Sequence, residues 1–244
     1  MISLQDDVLA ALRGATANRH ALLDQAMPLA RTAPTLDDYH EHLCLLRPWL
    51  AGIAIEAARH SDGPQDPRLL PPLDRLASLD ADLADHAKLA NHAEYAEHAE
   101  YADRGGRAGH ADRAAIAGQT CLAGAASPNA AAPQPAAPPT MAAIALDGSA
   151  AWRWGVAYVV EGSQLGGIVL HRRLSASLAP HPLRYLHGGG VPPGPRWQLF
   201  LTRLRAEVTA PADIAQACAG ACAAFDALIA RLPQGRHTRQ AVAA

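Results

Sequence analysis

The sequence predicts an all-α fold. Of its 244 residues, 50% are hydrophobic, but much of that share is alanine, and aromatic residues make up only 5%. Alanine and leucine favour helices, and the chain is poor in the Val/Ile/Thr runs and the alternation of apolar and polar residues that strands need. A chain of this length can form one large domain or two small ones.

Two predicted helices open the chain. Residues 3–27 carry an amphipathic apolar stripe with Ser3 as a candidate N-cap, and Pro28 can end or bend this helix. A second helix is predicted to start near Thr35, because two aspartates follow in the turn where the helix dipole is positive. Pro48 is expected to kink or divide it.

A low-complexity insertion is predicted over 86–149, after a shorter helix over 69–89. The hexads HAEYAE and HAEYAD follow each other, and the Ala/Pro-rich stretch CLAGAASPNAAAPQPAAPPTMAA cannot bury a core, so we expect disorder. A metal site built from the histidines is the alternative. A six-residue step turns an α-helix by about 600°, which does not give a common face, so the insertion is favoured. The histidines concerned are His86, His92, His98 and His110.

The helical pattern resumes at residue 150. A long helix is predicted over 151–179 and is closed by Pro180 and Pro182, and the stretch HGGGVPPGP predicts a tight glycine-rich turn. The amphipathic stretches RWQLFLTRLRAEV and ADIAQACAGACAAFDALIARL predict two further helices of a bundle. We therefore expect one helical domain from 1–85 and 150–232, followed by a flexible tail over 233–244.

Charge and hydropathy exclude several classes of protein. The formal net charge is −2 and there is no basic tract, which argues against a nucleic-acid partner. No apolar run has the length of a membrane span, and the acidic, amphipathic start MISLQDDVLAALRG does not resemble a secretory signal. We therefore expect a soluble cytoplasmic protein without a membrane partner.

The four cysteines form no CxxC pair. Cys218 and Cys222 are four residues apart and would share a helix face, which leaves half a metal site conceivable. Small apolar side chains at a helix contact in a reducing compartment are the favoured interpretation.

One face of the first helix carries residues that could bind a ligand. Arg13 and His20 are seven residues apart, so they lie within about 20° of each other around the helix, and Thr16 falls between them. Asp24 follows His20 at i+4 and could hold one ring nitrogen of the imidazole while the other binds a metal. The alternative is that these residues are the solvated side of the helix.

The stretch YVVEGSQLGGIVLHRRL places glycines in the middle of the predicted long helix. Gly162, Gly166 and Gly167 each cost roughly 1 kcal/mol relative to alanine in a helix. Gly162 and Gly166 are four residues apart, so their bare faces coincide. Close helix–helix packing explains such a strip, and so does a flat ligand that lies against exposed backbone.

These segments together resemble the heme oxygenases. GATANRHALLD resembles the proximal helix of that family, and YVVEGSQLGG closely resembles the distal helix of the bacterial branch that accompanies bacteriophytochromes. HGGGVPPGPRWQLFLTRL is similar to the glycine-rich turn of that branch and keeps the spacing of Gly194, Trp197 and Phe200. The resemblance covers about residues 5–85 and 150–232 and implies a heme oxygenase-like helical bundle.

The resemblance implies roles for the first helix and its neighbours. His20 falls at the proximal heme-iron ligand, and Asp24 at a position that is usually glutamate. Arg13 and Tyr158 fall where side chains meet heme propionates, and Thr16 lies on the same face as Arg13.

The distal residues follow in the same way. Gly162, Ser163, Gly166 and Gly167 match the positions that border the oxygen-binding side of the heme. A further basic residue of the Trp197 helix is expected at a propionate. Arg203 is the predicted residue, although the register does not separate it from Arg196.

The implied activity is oxidative cleavage of heme to biliverdin, carbon monoxide and ferrous iron, with heme as both substrate and cofactor. Electrons would come from an external ferredoxin or reductase, because the chain has no GxGxxG motif or CxxC cluster. A bacteriophytochrome is a candidate recipient of the biliverdin. The rival functions are a heme-binding or heme-sensing protein without catalysis, and a thiaminase-like hydrolase. The hydrolase would need a pocket cysteine with acidic partners, which neither Cys44 nor Cys218 has in the sequence.

Overall fold

A computed structural model describes residues 7–103 and 148–233, with backbone alone over 90–103. Within these ranges the protein is helical and has no strand, so the all-α prediction is confirmed. Short 3₁₀ turns lie at Pro28–Ala30 and Gly63–Gln65. The helices are α1 (Val8–Ala26), α2 (Leu36–Ala57), α3 (Arg75–Asp103), α4 (Ala150–Leu174), α5 (Pro193–Glu207) and α6 (Pro211–Ile229).

The chain divides into two compact units. One comprises Met1–His86 with Ala143–Ala244, and the other comprises Ala87–Ala142. The disorder expected within the insertion and the flexibility expected of the tail fall on residues 104–147 and 234–244, outside the described ranges, and the domain boundaries stay a prediction.

The boundaries of α1 and α3 differ from those expected. α1 begins at Val8, with Asp7 as the N-cap that accepts a hydrogen bond from the Leu9 amide, whereas Ser3 lies outside the described residues. α3 begins at Arg75 and continues through Asp103. The hexads that follow the predicted end of this helix are rich in alanine and glutamate, which are strong helix formers, so the helix continues into them.

The start of α2 is confirmed. Thr35 and Asp38 form a capping box in which each side chain accepts a hydrogen bond from the other residue's backbone amide. Pro48 lies inside α2 and does not divide it. Its ring removes one hydrogen bond of the helix, while the buried neighbours Trp49 and Leu50 hold the helix against the core.

α4 ends at Leu174, five residues before the expected end. Turns follow, in which the Leu178 amide donates to the Leu174 carbonyl and the His181 amide to the Leu178 carbonyl. Pro180 has no amide hydrogen and disfavours helical backbone at the residue before it, so the helix ends ahead of it. Further along, the predicted turn is confirmed, since Gly188, Gly189 and Gly190 all have positive φ.

The closest helix contact is the crossing of α4 and α6. A Cβ added at Gly155 would lie 1.8 Å from the Ala217 carbonyl oxygen, and one added at Gly220 would lie 2.0 Å from the Trp152 carbonyl oxygen. The two backbones therefore touch without a side chain between them. α6 is long and apolar enough to pass as a membrane span by length and composition, and it packs one face against α4 and α1, with Ala217 fully buried.

A buried carboxylate joins three parts of the larger unit. Asp82 of α3 is fully buried and accepts hydrogen bonds from the Tyr39 hydroxyl of α2 (2.7 Å) and the Tyr185 amide (2.9 Å). Arg184 adds a third contact at 3.1 Å. Burial, together with the charge of Asp82, raises the pKa of Tyr39. The segment that follows α4 is thereby held against α2 and α3.

Substituting Gly155 tests the α4–α6 crossing. We expect Gly155→Ala to lower the free energy of unfolding by about 3 kcal/mol, because the added methyl group meets backbone that cannot move aside. Gly52→Ala is the matched control, since a Cβ there meets nothing within 4 Å. The control should raise stability by about 0.5–1 kcal/mol in urea titrations. Equal effects of the two substitutions would contradict the close crossing.

His42 gives the fold a specific acid sensitivity. Burial lowers the pKa of His42 from 6.5 to about 4, and within the described residues its Nδ1 has no hydrogen-bond partner. The pKa of His42 is lower in the folded protein than in the unfolded one, so the neutral imidazole favours the folded state. This contribution to the free energy of unfolding is complete above pH 6.5 and is lost as the pH falls towards 4. By linkage the loss is on the order of 3 kcal/mol. His42→Leu should remove that part of the pH dependence in urea titrations between pH 7 and pH 4.5, and a slope identical to that of the wild type would show the assignment to be wrong.

Candidate functional site

The predicted contact between His20 and Asp24 is present on α1. The His20 Nδ1 and an Asp24 carboxylate oxygen lie 2.8 Å apart, and the two side chains are 64% and 66% exposed. When the Nδ1–H group donates a hydrogen bond to the carboxylate, Nε2 of the neutral ring carries no proton and its lone pair is available to a ligand. The arrangement suits metal ligation by a neutral imidazole, and the shorter aspartate side chain is long enough to make it.

α6 holds this face of α1 in place. The Arg19 guanidinium donates to both carboxylate oxygens of Asp226, at 2.7 and 3.0 Å, and the His20 ring meets the Phe225 ring edge-on with centroids 6.0 Å apart. The Cys222 thiol donates to the Ala15 carbonyl at 3.4 Å. The sequence analysis missed Arg19 and Asp226, and no local pattern could have paired residues that are 207 positions apart.

Tyr158 brings α4 to the face of α1 that carries Arg13 and Thr16. Its hydroxyl lies near the side chains of both residues. Burial raises the pKa of Tyr158, while the charge of Arg13 and the neighbouring polar groups of Thr16 and Arg13 oppose that rise. Thr16 is itself buried, and its hydroxyl donates to the Leu12 carbonyl at 2.8 Å. Three residues predicted to bind one cofactor thus meet in one place.

An aromatic stack continues from Tyr158 onto α5. The rings of Tyr158 and Trp197 have centroids 5.9 Å apart, and Trp197 stacks on Phe200 at 5.3 Å. A Cβ added at Gly162 would lie 3.7 Å from the Trp197 ring, which is an ordinary contact distance. The Trp/Phe spacing quoted from the sequence therefore forms a wall beside the first of the predicted distal glycines.

The predicted distal residues divide into open and packed positions. A Cβ at Gly166 would meet nothing within 4 Å, whereas Gly167 is buried and a Cβ there would lie 3.3 Å from the Leu186 carbonyl oxygen. Ser163 is exposed, and its hydroxyl donates to the Val160 carbonyl at 2.7 Å. Close packing explains Gly155, which meets α6, and Gly167, which meets the turn segment at Leu186, and it does not explain Gly162 or Gly166.

The two candidate arginines of α5 have different surroundings. Arg196 donates two hydrogen bonds to Glu161, both at 2.8 Å, and a third to the Pro71 carbonyl. The Nε of Arg203 is buried and has no hydrogen-bond partner among the described residues. An unpaired buried donor is costly, so Arg203 has an N–H group that a carboxylate could satisfy.

The donor set fits a heme better than a bare metal ion. Across residues 7–89 and 148–233, no group of three or more His, Cys, Asp or Glu side chains could hold a metal ion. A porphyrin supplies four ligands to its iron, so a single histidine such as His20 is sufficient protein ligation. The Arg13 guanidinium near Tyr158 suits a propionate, and the open position at Gly166 leaves space beside α4.

The open and packed glycines can be separated without any ligand. Gly166→Leu should leave the free energy of unfolding unchanged or raise it by up to about 1 kcal/mol, because leucine is a better helix former. Gly167→Leu should lower it by about 1–3 kcal/mol, because the side chain meets the backbone at Leu186. Chemical denaturation of the two variants measures the difference, and the reverse order of stability would contradict the open face.

One comparison with known proteins supports the resemblance to heme oxygenases in part. No protein-family model matches the chain, and no solved structure matches it. A protein named heme oxygenase from Xanthomonas campestris pv. campestris (strain 8004) is 42% identical over 80 residues, which is 32% of this chain and 47% of that protein. The match thus spans about half the length of that relative. The chain is a distant, partial homologue of a heme oxygenase.

Proposed function

We propose that this protein is a heme oxygenase of the bacteriophytochrome-associated branch, which cleaves heme to biliverdin, carbon monoxide and ferrous iron. The observation that carries the proposal is the open glycine at position 166, where a side chain would meet nothing within 4 Å. In the same helix Gly155 serves close packing, so Gly166 needs another explanation. A flat ligand against bare backbone supplies one.

Each predicted residue then has a task at the heme. His20 would hold the iron through Nε2, and Asp24 would keep the ring in the tautomer that permits this. Arg13 and Arg203 would pair with the propionates, while Tyr158 and Thr16 would position the Arg13 side chain. The arginines match a carboxylate in charge and geometry.

Bound heme would supply the iron that activates O₂ and would itself be the molecule oxidised. The protein's contribution on the distal side is to keep bulky acids and bases away. Gly162 and Gly166 have no side chain, and the Ser163 hydroxyl is held by the Val160 carbonyl. Bare backbone leaves room for O₂ and ordered water beside the ring, which favours oxidation of the ring itself.

The remaining parts of the proposal concern partners. Electrons come from an external ferredoxin or reductase, in a cytoplasmic setting, and a bacteriophytochrome is the candidate recipient of biliverdin. A heme carrier that does not degrade heme would share the same ligand residues, so turnover decides between the two functions.

Spectroscopy with hemin tests the proposal. Purified protein mixed with hemin should develop a Soret band, and ascorbate or a ferredoxin system under air should replace that band with biliverdin absorption. A Soret band that persists under reduction would exclude heme oxygenase activity and favour a heme carrier. If no Soret band forms, heme is not the ligand.

Variants of the two helices complete that test. His20→Ala should lose the normal axial ligation, whereas His171→Ala is a matched control because His171 lies about 140° around α4 from Gly166. Gly166→Leu should keep heme binding and lower turnover by at least tenfold, because the side chain occupies the space beside the ring. An unchanged heme spectrum in His20→Ala would refute the proximal ligand.

A further inference from the structure

A cavity of about 520 Å³ lies on the side of α4 away from Gly162 and Gly166. Its walls come from the second half of α2, the segment between α2 and α3, the start of α3, α4 and Arg196 of α5. Most of the lining is apolar, including Leu50, Ile53, Ala54, Leu70, Val156 and Val160. A volume of this size falls within the range of small-molecule sites.

This cavity is separate from the proposed heme site. Val160 faces it, and Gly162 is two residues further along α4, which is about 200° around the helix axis. The lining includes neither His20 nor Tyr158. An inference about the cavity therefore stands without the heme proposal.

One wall of the cavity carries a buried group of charges. Glu161 accepts from Arg75 at 2.5 Å and from Arg196 at 2.8 Å, and the three side chains are 7%, 9% and 13% exposed. Arg153 also lines the cavity and is 5% exposed. Two guanidinium groups thus contact a single buried carboxylate, and the third, of Arg153, is bonded to Gln65, Gly148 and Asp62.

The acidic groups nearby lie in solvent. Asp62, the partner of Arg153, is 67% exposed, and the exposed Asp74 accepts hydrogen bonds from the first amides of α3. Solvated carboxylates compensate buried cations weakly. The buried part of the wall therefore carries excess positive charge.

Arg75 has hydrogen-bonding capacity to spare. Among the described residues, Arg75 donates a hydrogen bond only from Nη2, to Glu161. The N–H groups of its Nε and Nη1 have no acceptor among these residues and could bind a ligand. A guanidinium with free N–H groups at an apolar cavity matches a carboxylate that carries an apolar body.

We propose that the cavity binds an amphipathic monocarboxylate, such as a medium-chain fatty acid. The carboxylate meets Arg75 beside the Arg75–Glu161–Arg196 cluster, and the alkyl chain lies among the leucine, isoleucine, valine and alanine side chains of α2 and α4. The ligand supplies the buried negative charge that the wall lacks, and its chain fills apolar space.

Displacement of a fluorescent fatty acid tests this site. The full chain without heme is saturated with 11-(dansylamino)undecanoate, and decanoate or decan-1-ol is titrated in. We expect decanoate to compete at a concentration at least tenfold lower than decan-1-ol, because only the acid can pair with Arg75. Equal competition by the alcohol, or no binding of the probe, would overturn the proposal.

Two substitutions locate the site. Arg75→Gln should weaken decanoate at least tenfold and leave decan-1-ol unchanged, whereas the exposed Arg68, which does not line the cavity, supplies the control Arg68→Gln. Ala54→Phe should fill the cavity and abolish both ligands, with the circular dichroism spectrum reporting whether it folds. Identical decanoate affinities in Arg75→Gln and Arg68→Gln would exclude Arg75 as the carboxylate partner, whatever the outcome for Ala54→Phe. Because no heme is present, failure here leaves the heme proposal standing.

Discussion

The contact of backbone on backbone between α4 and α6 is the constraint on which the candidate site depends. Gly155 and Gly220 allow the two helices to touch, and no other residue type fits at either position. α6 also positions α1, because Asp226 of α6 binds Arg19 and the Phe225 ring of α6 contacts the His20 ring. The relative placement of the predicted iron ligand and the glycine-bearing helix is therefore set through α6. A substitution that separates α4 from α6 would therefore disturb the placement of His20 on α1 and of the glycines on α4 together.

α4 serves three purposes. Gly155 meets α6, the open position Gly166 lies eleven residues further along nearly the same face, and Val160 and Glu161 line an apolar cavity on another side. Glycine is used at two heights of one face for opposite reasons, close approach at Gly155 and empty space at Gly166. These several roles of α4 explain why the middle of the helix accepts residues of low helix propensity.

The charges of α5 show how surroundings separate chemically identical residues. Arg196 and Arg203 are seven residues apart on one helix, so they lie on nearly the same face. Arg196 is neutralised by the buried Glu161, whereas Arg203 keeps a buried Nε without an acceptor among the described residues. The register of the helix could not separate them, because the deciding carboxylate belongs to α4.

The amino-acid sequence by itself determined the features that depend on residues within one or two turns. These are the helical class, the cap at Thr35 and the contact of His20 with Asp24, because propensity, capping and i,i+4 geometry are local. Only the tertiary structure decided which glycines pack and that Arg19 meets Asp226. Each of those outcomes depends on atoms brought together from distant parts of the chain, and the spacing of a residue within its own helix does not identify its partner on another helix.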